Sequence, residues 1–505
     1  MKHIARASLI ISVFFALDKG LAFIRQAMVA RQFGLTYEID VFNAANNIPD
    51  LLSAMISGGA LGVALIPVLS EYMELRGRPA SWDVFSRILN LAFIVTGTVS
   101  LLIAIVAVPL VEYIIAPGFP PQQQALTVEL MRLDLFAIMI FSISGLVMAG
   151  LQANQHFLLP AMAPGLYNLG QIFGIAVLAP TEGITIGPIT LPAFGMGIHG
   201  LVYGVIIGAL LHLGIQLPGL IHFKFRWTPA INLHNPGVQK VLLLLGPRVL
   251  TMFFLQLFFI TRDNLASGLG EGAITALNYG WFIMQVPETL IGTALAIALL
   301  PTLSELIARG EREKYGHTIN QSVRILLALT IPAAALLAVG LPPLVDLFFG
   351  FDNAGTDLVV MVTRAYLLGL TSHTLLEVSA RSFYAQQDAK TPLYVAALNA
   401  AVFIVLAVIL SRTMGVVGIA LANTLAFTGE ALLLLYLLNR QLPGLLRVGR
   451  TLIRVVIAST ASALLVYLLL QLPLPPLLLT IGSLGVGCMA VAPFIWPEVK
   501  LLIKL

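Results

Sequence analysis

Apolar runs of about twenty residues recur along the whole 505-residue chain, and no other feature narrows its fold so far. A run of that length, wound as an α-helix, matches the hydrocarbon thickness of a bilayer. Inside hydrocarbon every backbone N–H and C=O needs a partner within the protein, and a helix supplies them all from its own segment. The runs lie at 7–33, 38–70, 84–114, 126–150, 158–180, 198–221, 237–266, 273–305, 318–346, 357–385, 391–411, 415–437, 451–472 and 476–496. They predict an all-α polytopic membrane protein of about fourteen transmembrane helices. Only 10% of residues are charged, against roughly a quarter in a soluble chain. No connector is long enough for a separate soluble domain.

Lysine and arginine fix the expected orientation. One set of connectors carries Arg76 and Arg78, Lys224 and Arg226, Arg309, Arg312 and Lys314, Lys390, then Arg440, Arg447 and Arg450. Lys2, Arg6, Lys500 and Lys504 fall on the same side. The alternate connectors at 115–125, 181–197 and 473–475 hold neither residue. Both termini are therefore expected in the cytoplasm, which an even number of spans requires. Trp82 and Trp227 stand beside basic connectors, where interfacial aromatics belong. The first apolar run continues past Asp18, Lys19 and Arg25, so it reads as a membrane helix and not a cleavable signal. The lone cysteine, Cys488, excludes an internal disulfide.

An internal repeat sets the domain organisation. Gly58-Gly-Ala-Leu-Gly-Val-Ala-Leu-Ile-Pro67-Val-Leu-Ser-Glu71 returns as Gly292-Thr-Ala-Leu-Ala-Ile-Ala-Leu-Leu-Pro301-Thr-Leu-Ser-Glu305. Leu151-Gln-Ala-Asn-Gln155 with Pro160 returns as Phe383-Tyr-Ala-Gln-Gln387 with Pro392, and Gly197-Ile-His-Gly200 returns as Gly415-Val-Val-Gly418. The expected layout is an N-terminal lobe at 1–222, a C-terminal lobe at 223–440, and an appended helix pair at 441–505. Six helices per lobe give both the same polarity, related by an axis along the membrane normal. Rocking of two such lobes about a polar cleft points to transport by alternating access.

Ionisable groups within spans are costly and mark candidate sites. The first run carries Asp18, Lys19 and Arg25, and the second carries Asp40, Asn43, Asn46, Asn47 and Asp50. Lys19 and Arg25 are six residues apart, so they share a face only if the helix bends near Gly20. Lining a wet cleft, they suit an anionic group such as a pyrophosphate. The competing reading is an internal Asp18/Lys19 or Arg25/Asp40 ion pair. In the second lobe the candidates include Arg248, which follows Gly246-Pro247, and Arg364 and Glu377; Glu430 reads equally as a protonation or a packing residue. Arg262, Asp263 and Arg381 sit near helix ends, where snorkelling to the interface is the simpler expectation. The substrate-binding set is thus Lys19, Arg25, Asp40, Asn47, Arg248 and Arg364. No phosphate-binding loop, metal-spaced histidine pair or nucleophile motif is present, so neither an enzyme nor a cofactor or metal is expected.

Several stretches together resemble the lipid II flippases (MurJ, also called MviN) of the multidrug/oligosaccharidyl-lipid/polysaccharide exporter superfamily. They are Phe23-Ile-Arg25 through Ala30-Arg31-Gln-Phe-Gly34, Asp40, Ala60 to Tyr72, and Ala116-Pro-Gly-Phe119. Beyond them follow Gly246-Pro-Arg248, Leu265-Ala-Ser-Gly-Leu269, Ala276-Leu-Asn-Tyr279, Leu300-Pro-Thr-Leu-Ser304, Phe383 to Asp388 and Lys390-Thr-Pro392. The resemblance implies a bacterial inner-membrane protein with a V-shaped cavity and a lipid groove at helices 13–14. It implies a substrate, undecaprenyl-linked disaccharide-pentapeptide, carried to the outer leaflet, with membrane lipids and cell-wall synthesis proteins as partners and no nucleic acid. Lys19 stands where relatives usually place an arginine, Ser53 and Gly58 where they carry an arginine and an acid, and Trp281-Phe282 near another expected arginine. Phe403 to Ala407 lacks the ligands of the sodium site that some relatives carry. The fold also accommodates an exporter of another lipid-linked oligosaccharide, a cation-coupled antiporter, or a non-transporting scaffold for envelope assembly.

Overall fold

A computed structural model describes residues 2–57, 60–444, 446–473 and 476–504. Two compact units divide at Glu271 and Gly272. In the first lie α1 (Lys2–Phe33), α2 (Tyr37–Leu52), α3 (Ala60–Arg76), α4 (Arg78–Ile105), α5 (Ala107–Leu110), α6 (Pro121–Ala153), α7 (Leu158–Phe173), α8 (Ile198–Gly214), α9 (Leu217–His222) and α10 (Pro236–Ala266). In the second lie α11 (Ala273–Pro287), α12 (Ala294–Ala308), α13 (Arg312–Phe349), α14 (Asn353–Leu367), α15 (Leu370–Ala385), α16 (Lys390–Gln441), α17 (Gly449–Leu469) and α18 (Pro476–Lys504). Among the described residues the only strands are the two-residue arms of a hairpin, β1 (Thr185–Ile186) and β2 (Ile189–Thr190).

Ten stretches of described helix are long and apolar enough to cross a membrane. The runs at 7–33, 38–70 and 237–266 also fall on described helices. The two runs at 391–411 and 415–437 form α16, 52 residues long. At 1.5 Å per residue such a helix would span about 78 Å, far more than one bilayer. It turns back at Gly415, whose φ of 58° and ψ of −135° no helix contains. The described helices are thus consistent with the fourteen predicted runs.

The repeat is written into the backbone of each unit. Gly197 precedes α8 with φ 55° and ψ −134°, nearly the conformation of Gly415. Gln155 and Gln387, at matching places in the second repeated motif, both adopt positive φ, 58° and 61°. Each ends its helix in the same way: the N–H of His156 reaches Leu151 O at 2.9 Å and that of Asp388 reaches Phe383 O at 3.0 Å. This closure satisfies end carbonyls and usually has glycine at the left-handed position. Glutamine there accepts a steric cost.

In unit 1, α3, α4 and α6 surround a core that includes Leu65, Leu69, Trp82, Phe85 and Leu146. Glycines let α7 and α8 approach closely: a Cβ on Gly170 would fall 2.4 Å from Gly208, and one on Gly174 would fall 2.7 Å from Gly204. Small residues at such crossings allow the backbone contact that drives helix association in lipid. Helix α10 packs on α2, α3 and α4, so the seventh span lies in the first compact unit, although the repeat counts it with the second six.

In unit 2 the core joins α12, α13, α15 and α16 around Ile319, Leu326, Phe383 and Leu434. The final pair α17 and α18 packs on α13. Glu498 of α18 is fully buried. It accepts from Arg324 Nη2 of α13 at 2.9 Å and from Thr451 Oγ1 of α17 at 3.0 Å, and it also pairs with Arg454. One carboxylate therefore ties three helices.

Gly415 has open space where a side chain would go, so its substitution cost is conformational. Gly415→Ala is expected to lower stability by about 1–3 kcal/mol, and an unchanged thermal unfolding curve in detergent would contradict this. At the start of α16, Asp388 accepts from Thr391 Oγ1 at 2.6 Å and from the backbone N–H groups of Lys390 and Thr391, each at 3.0 Å. The Thr391 hydroxyl, then its N–H, hold the carboxyl below its ordinary range. A depressed folded-state value stabilises above the unfolded value of about 4 and is lost as pH falls through the folded one. Asp388→Asn should therefore destabilise at pH 7 and converge with the parent as pH falls through the depressed folded-state value, as thermal melts over a falling pH series would report.

Candidate functional site

The polar groups of unit 1 gather around α1, α2, α7 and α10. Helix α1 runs through Gly20 without a break. Six residues advance roughly 600° around an unbroken helix, so Lys19 and Arg25 leave it on different faces. Arg25 is half-buried and donates from Nη1 to Gln171 Oε1 on α7 at 3.2 Å. One turn earlier on α7, Asn168 Nδ2 donates to Asp18 Oδ1 at 2.8 Å. Neutral amides of α7 thus orient one cation and one carboxylate of α1. Lys19 remains exposed.

On α2, Asp40 is buried in the first turn, where a carboxylate complements the helix dipole. Asn47 Nδ2 donates to Asp263 Oδ2 of α10 at 2.9 Å, and Arg262 Nε donates to Asp263 Oδ1 at 2.6 Å. Arg262 also lies over the Phe259 ring, 5.1 Å from its centroid. Both charged residues are buried, so the expectation that they snorkel is wrong. The Asn47 amide and their mutual attraction make burial tolerable, because a buried charge must be paired and hydrogen-bonded.

Just beyond Pro49, α2 passes into the wide π-helical turn Ser53–Ser57. The corresponding helix of unit 2 does the same after Pro287, over Glu288–Thr293. Such turns re-aim neighbouring side chains and gather at functional sites. Asp50 beside the first proline is exposed and within electrostatic reach of Asp263, while Asp134 of α6 lies within reach of Asp50. Asp134 is buried, and its Oδ1 has no hydrogen-bond partner.

In unit 2, Arg364 Nε donates to the Ala338 carbonyl of α13 at 2.8 Å. Pro342 lacks the N–H that would ordinarily bond that carbonyl, four residues back. The arginine fills the gap. Arg381 pairs with Glu377 one turn earlier and is partly buried. Asn399 Nδ2 donates to Glu430, and both are buried. Arg248 lies on α10 of unit 1, and its side chain is outside the described residues. Among the described residues no group of three or more acidic, histidine or cysteine side chains is placed to hold a metal.

The lipid II flippase MurJ family model matches residues 29–481, a stretch that takes in nearly all of both units. The chain belongs to the lipid II flippase MurJ family. It is 31% identical over 408 residues to the lipid II flippase MurJ of Burkholderia cenocepacia, covering 78% of this chain and 76% of that one. It is 28% identical over 460 residues to the probable lipid II flippase MurJ of Rhizobium meliloti, covering 87% and 82%. Among solved structures, a lipid II flippase MurJ in an inward closed conformation matches with a TM-score of 0.82 at 20% identity, over 98% of this chain and all of that one. A multidrug resistance MATE family transporter of the MOP superfamily matches with a TM-score of 0.71 at 14% identity, over 86% and 98%. These structural likenesses establish the fold.

Within this MurJ-family chain, sequence reasoning missed Asn168, Gln171 and Asp134. A carboxylate inside the apolar run at 126–150 was signal enough to find Asp134. The two amides carry no such signal, since uncharged polar residues occur throughout membrane helices. The Asp263 network offers a direct test. Asp263→Ala removes the carboxylate that Arg262 faces and should cost about 3–5 kcal/mol, whereas Asn47→Ala should cost about 1–3. Equal losses in detergent unfolding experiments would contradict the assignment.

Proposed function

We propose that the chain moves undecaprenyl-pyrophosphate-linked peptidoglycan precursor, lipid II, across the bacterial cytoplasmic membrane by alternating access. The observation that carries this reading is the family match over residues 29–481, which spans both copies of the internal repeat. The repeat supplies the two-state element, because two similar six-helix bodies can pack in more than one arrangement at similar cost. In this reading the repeat boundary lies near residue 222, and the Lys/Arg-rich connectors and both termini face the cytoplasm.

The charged groups have distinct roles in the proposal. Lys19 and Arg25 contact the pyrophosphate, Lys19 as a compact point charge and Arg25 through its planar fork. Gln171 holds Arg25 through the bond at 3.2 Å. Asn47 and Asp40 position the polar wall of α2, and Arg248 adds positive charge from α10. Arg364 contributes by supporting the broken turn of α13, with its Nε engaged at Ala338. Helices α17 and α18 accommodate the polyprenyl chain. The sequence lacks a nucleotide-binding motif, so the energy comes from the membrane potential or an ion gradient.

The test is complementation of bacteria depleted of their own flippase, scored by accessibility of lipid II at the outer face. The parent chain should restore viability, and the double variant Lys19→Ala/Arg25→Ala should abolish delivery while reaching the membrane at parental abundance. Gln171→Ala should impair delivery about ten-fold, because misplacing a bound cation by about 1 Å costs up to 100-fold. Full delivery by the double variant would remove these residues from the site.

A further inference from the structure

Each unit builds a cationic pocket at its basic connectors, away from the polar groups assigned to the substrate. In unit 1 the pocket encloses about 390 Å³ and is lined by Arg78, Trp82, Asp83, Phe223, Lys224 and Arg226. The connector after α9 is held firmly on α4. Trp82 Nε1 donates to Phe223 O at 3.2 Å, Asn90 Nδ2 donates to Thr228 O at 2.8 Å and to Ala230 O at 3.1 Å, and Trp227 Nε1 donates to Asn90 Oδ1 at 2.8 Å. The Arg78 guanidinium sits 5.2 Å from the centroid of the Phe223 ring. Lys224 takes φ 54°, an uncommon conformation for a residue with a side chain. Asp83 is answered by Arg87 Nε at 2.8 Å, so three cations face the pocket against a carboxylate already neutralised.

Unit 2 has a comparable pocket, in which Glu313 offsets one of the two arginines of the lining. A second pocket of about 390 Å³ lies between the start of α13 and the connector after α16, lined by Arg312, Glu313, His317, Asn320 and Arg447 among others. Asn320 plays the part of Asn90: its Oδ1 accepts from the backbone N–H of Arg447 at 2.9 Å. In both units an asparagine on the helix that follows the basic connector anchors a second basic connector, and an arginine from each of the two lines one pocket. Surface loops of a merely solvated basic face would have no need of such anchoring.

We infer that these two pockets are binding sites for the phosphate headgroup of anionic glycerophospholipids. Two arginines in the lining of each pocket suit phosphate oxygens, which guanidinium groups bind bidentately. The interfacial indole of Trp82 and the apolar Phe223, Leu442 and Pro443 in the walls favour a lipid headgroup over a free phosphate. Basic pockets between membrane helices on the cytoplasmic side recognise anionic headgroups in this way.

The full-length protein in mixed phosphatidylcholine and phosphatidylglycerol nanodiscs tests this, with retained lipid counted by native mass spectrometry after release. The parent should retain phosphatidylglycerol selectively. Arg78→Gln/Arg226→Gln and Arg312→Gln/Arg447→Gln should each weaken that retention, by roughly five-fold per arginine, and the matching arginine-to-lysine variants, which keep the charge but not the bidentate fork, should lose less. Parental retention in both glutamine variants, at parental unfolding temperatures, would overturn the inference. Release of the lipid by millimolar inorganic phosphate would also overturn it, by showing that the pockets take free phosphate. Equal loss from the lysine and glutamine variants, accompanied by unfolding, would overturn it as well, by assigning the arginines to structure alone.

Discussion

The structure depends on one constraint: a backbone polar group in hydrocarbon must find its partner within the protein. Uninterrupted helices meet it at no further cost, and most of this chain is helix. The informative places are those where a helix stops or bends. At Pro342 the carbonyl left open at Ala338 is taken up by Arg364. At the ends of α6 and α15 the carbonyls are closed by residues in the left-handed conformation, with glutamine in place of glycine. Asn235 and Asp352 cap α10 and α14 through bonds of 2.9 Å to backbone N–H groups. At each of these places a specific group nearby closes the exposed backbone.

The same constraint governs charge. Asp263 is shared by Arg262 and Asn47, and Glu498 is shared by Arg324, Arg454 and Thr451. Such clusters are costly to bury and more costly to break, so they fix which helices stay together. The Glu498 cluster makes α17 and α18 part of the second unit and not a loose appendage. Lys19 and Asp50 differ from these groups in remaining exposed.

Much of this was legible in the sequence because it rests on patterns that lipid enforces. The apolar runs predicted the helices, and the repeated Leu151–Gln155 and Phe383–Gln387 motifs predicted two places that prove to share one backbone conformation. The weaker Gly197/Gly415 pair proved equally informative, since both glycines adopt a conformation that other residues rarely reach. Partner identity was not legible. Charge spacing suggested that Arg25 pairs with Asp40 if it pairs at all, yet Gln171, far away in sequence, accepts its hydrogen bond. Burial of Arg262 and Asp263 was missed because their position near a helix end says nothing about the neighbouring helix that covers them. The division of the compact units at Glu271 also escaped sequence reasoning, because packing of α10 on α3 is a tertiary choice that the repeat does not encode.

The central claim is that this chain carries lipid II from one leaflet to the other. The most direct measurement reconstitutes the purified protein in sealed proteoliposomes with fluorescent lipid II confined to one leaflet. Transfer is then followed through a membrane-impermeant reagent that reacts only with headgroups on the opposite side. The account predicts transfer that requires the protein and far exceeds the rate in protein-free vesicles. Rates indistinguishable from empty vesicles, under every imposed potential and ion gradient and with the protein folded, would contradict it.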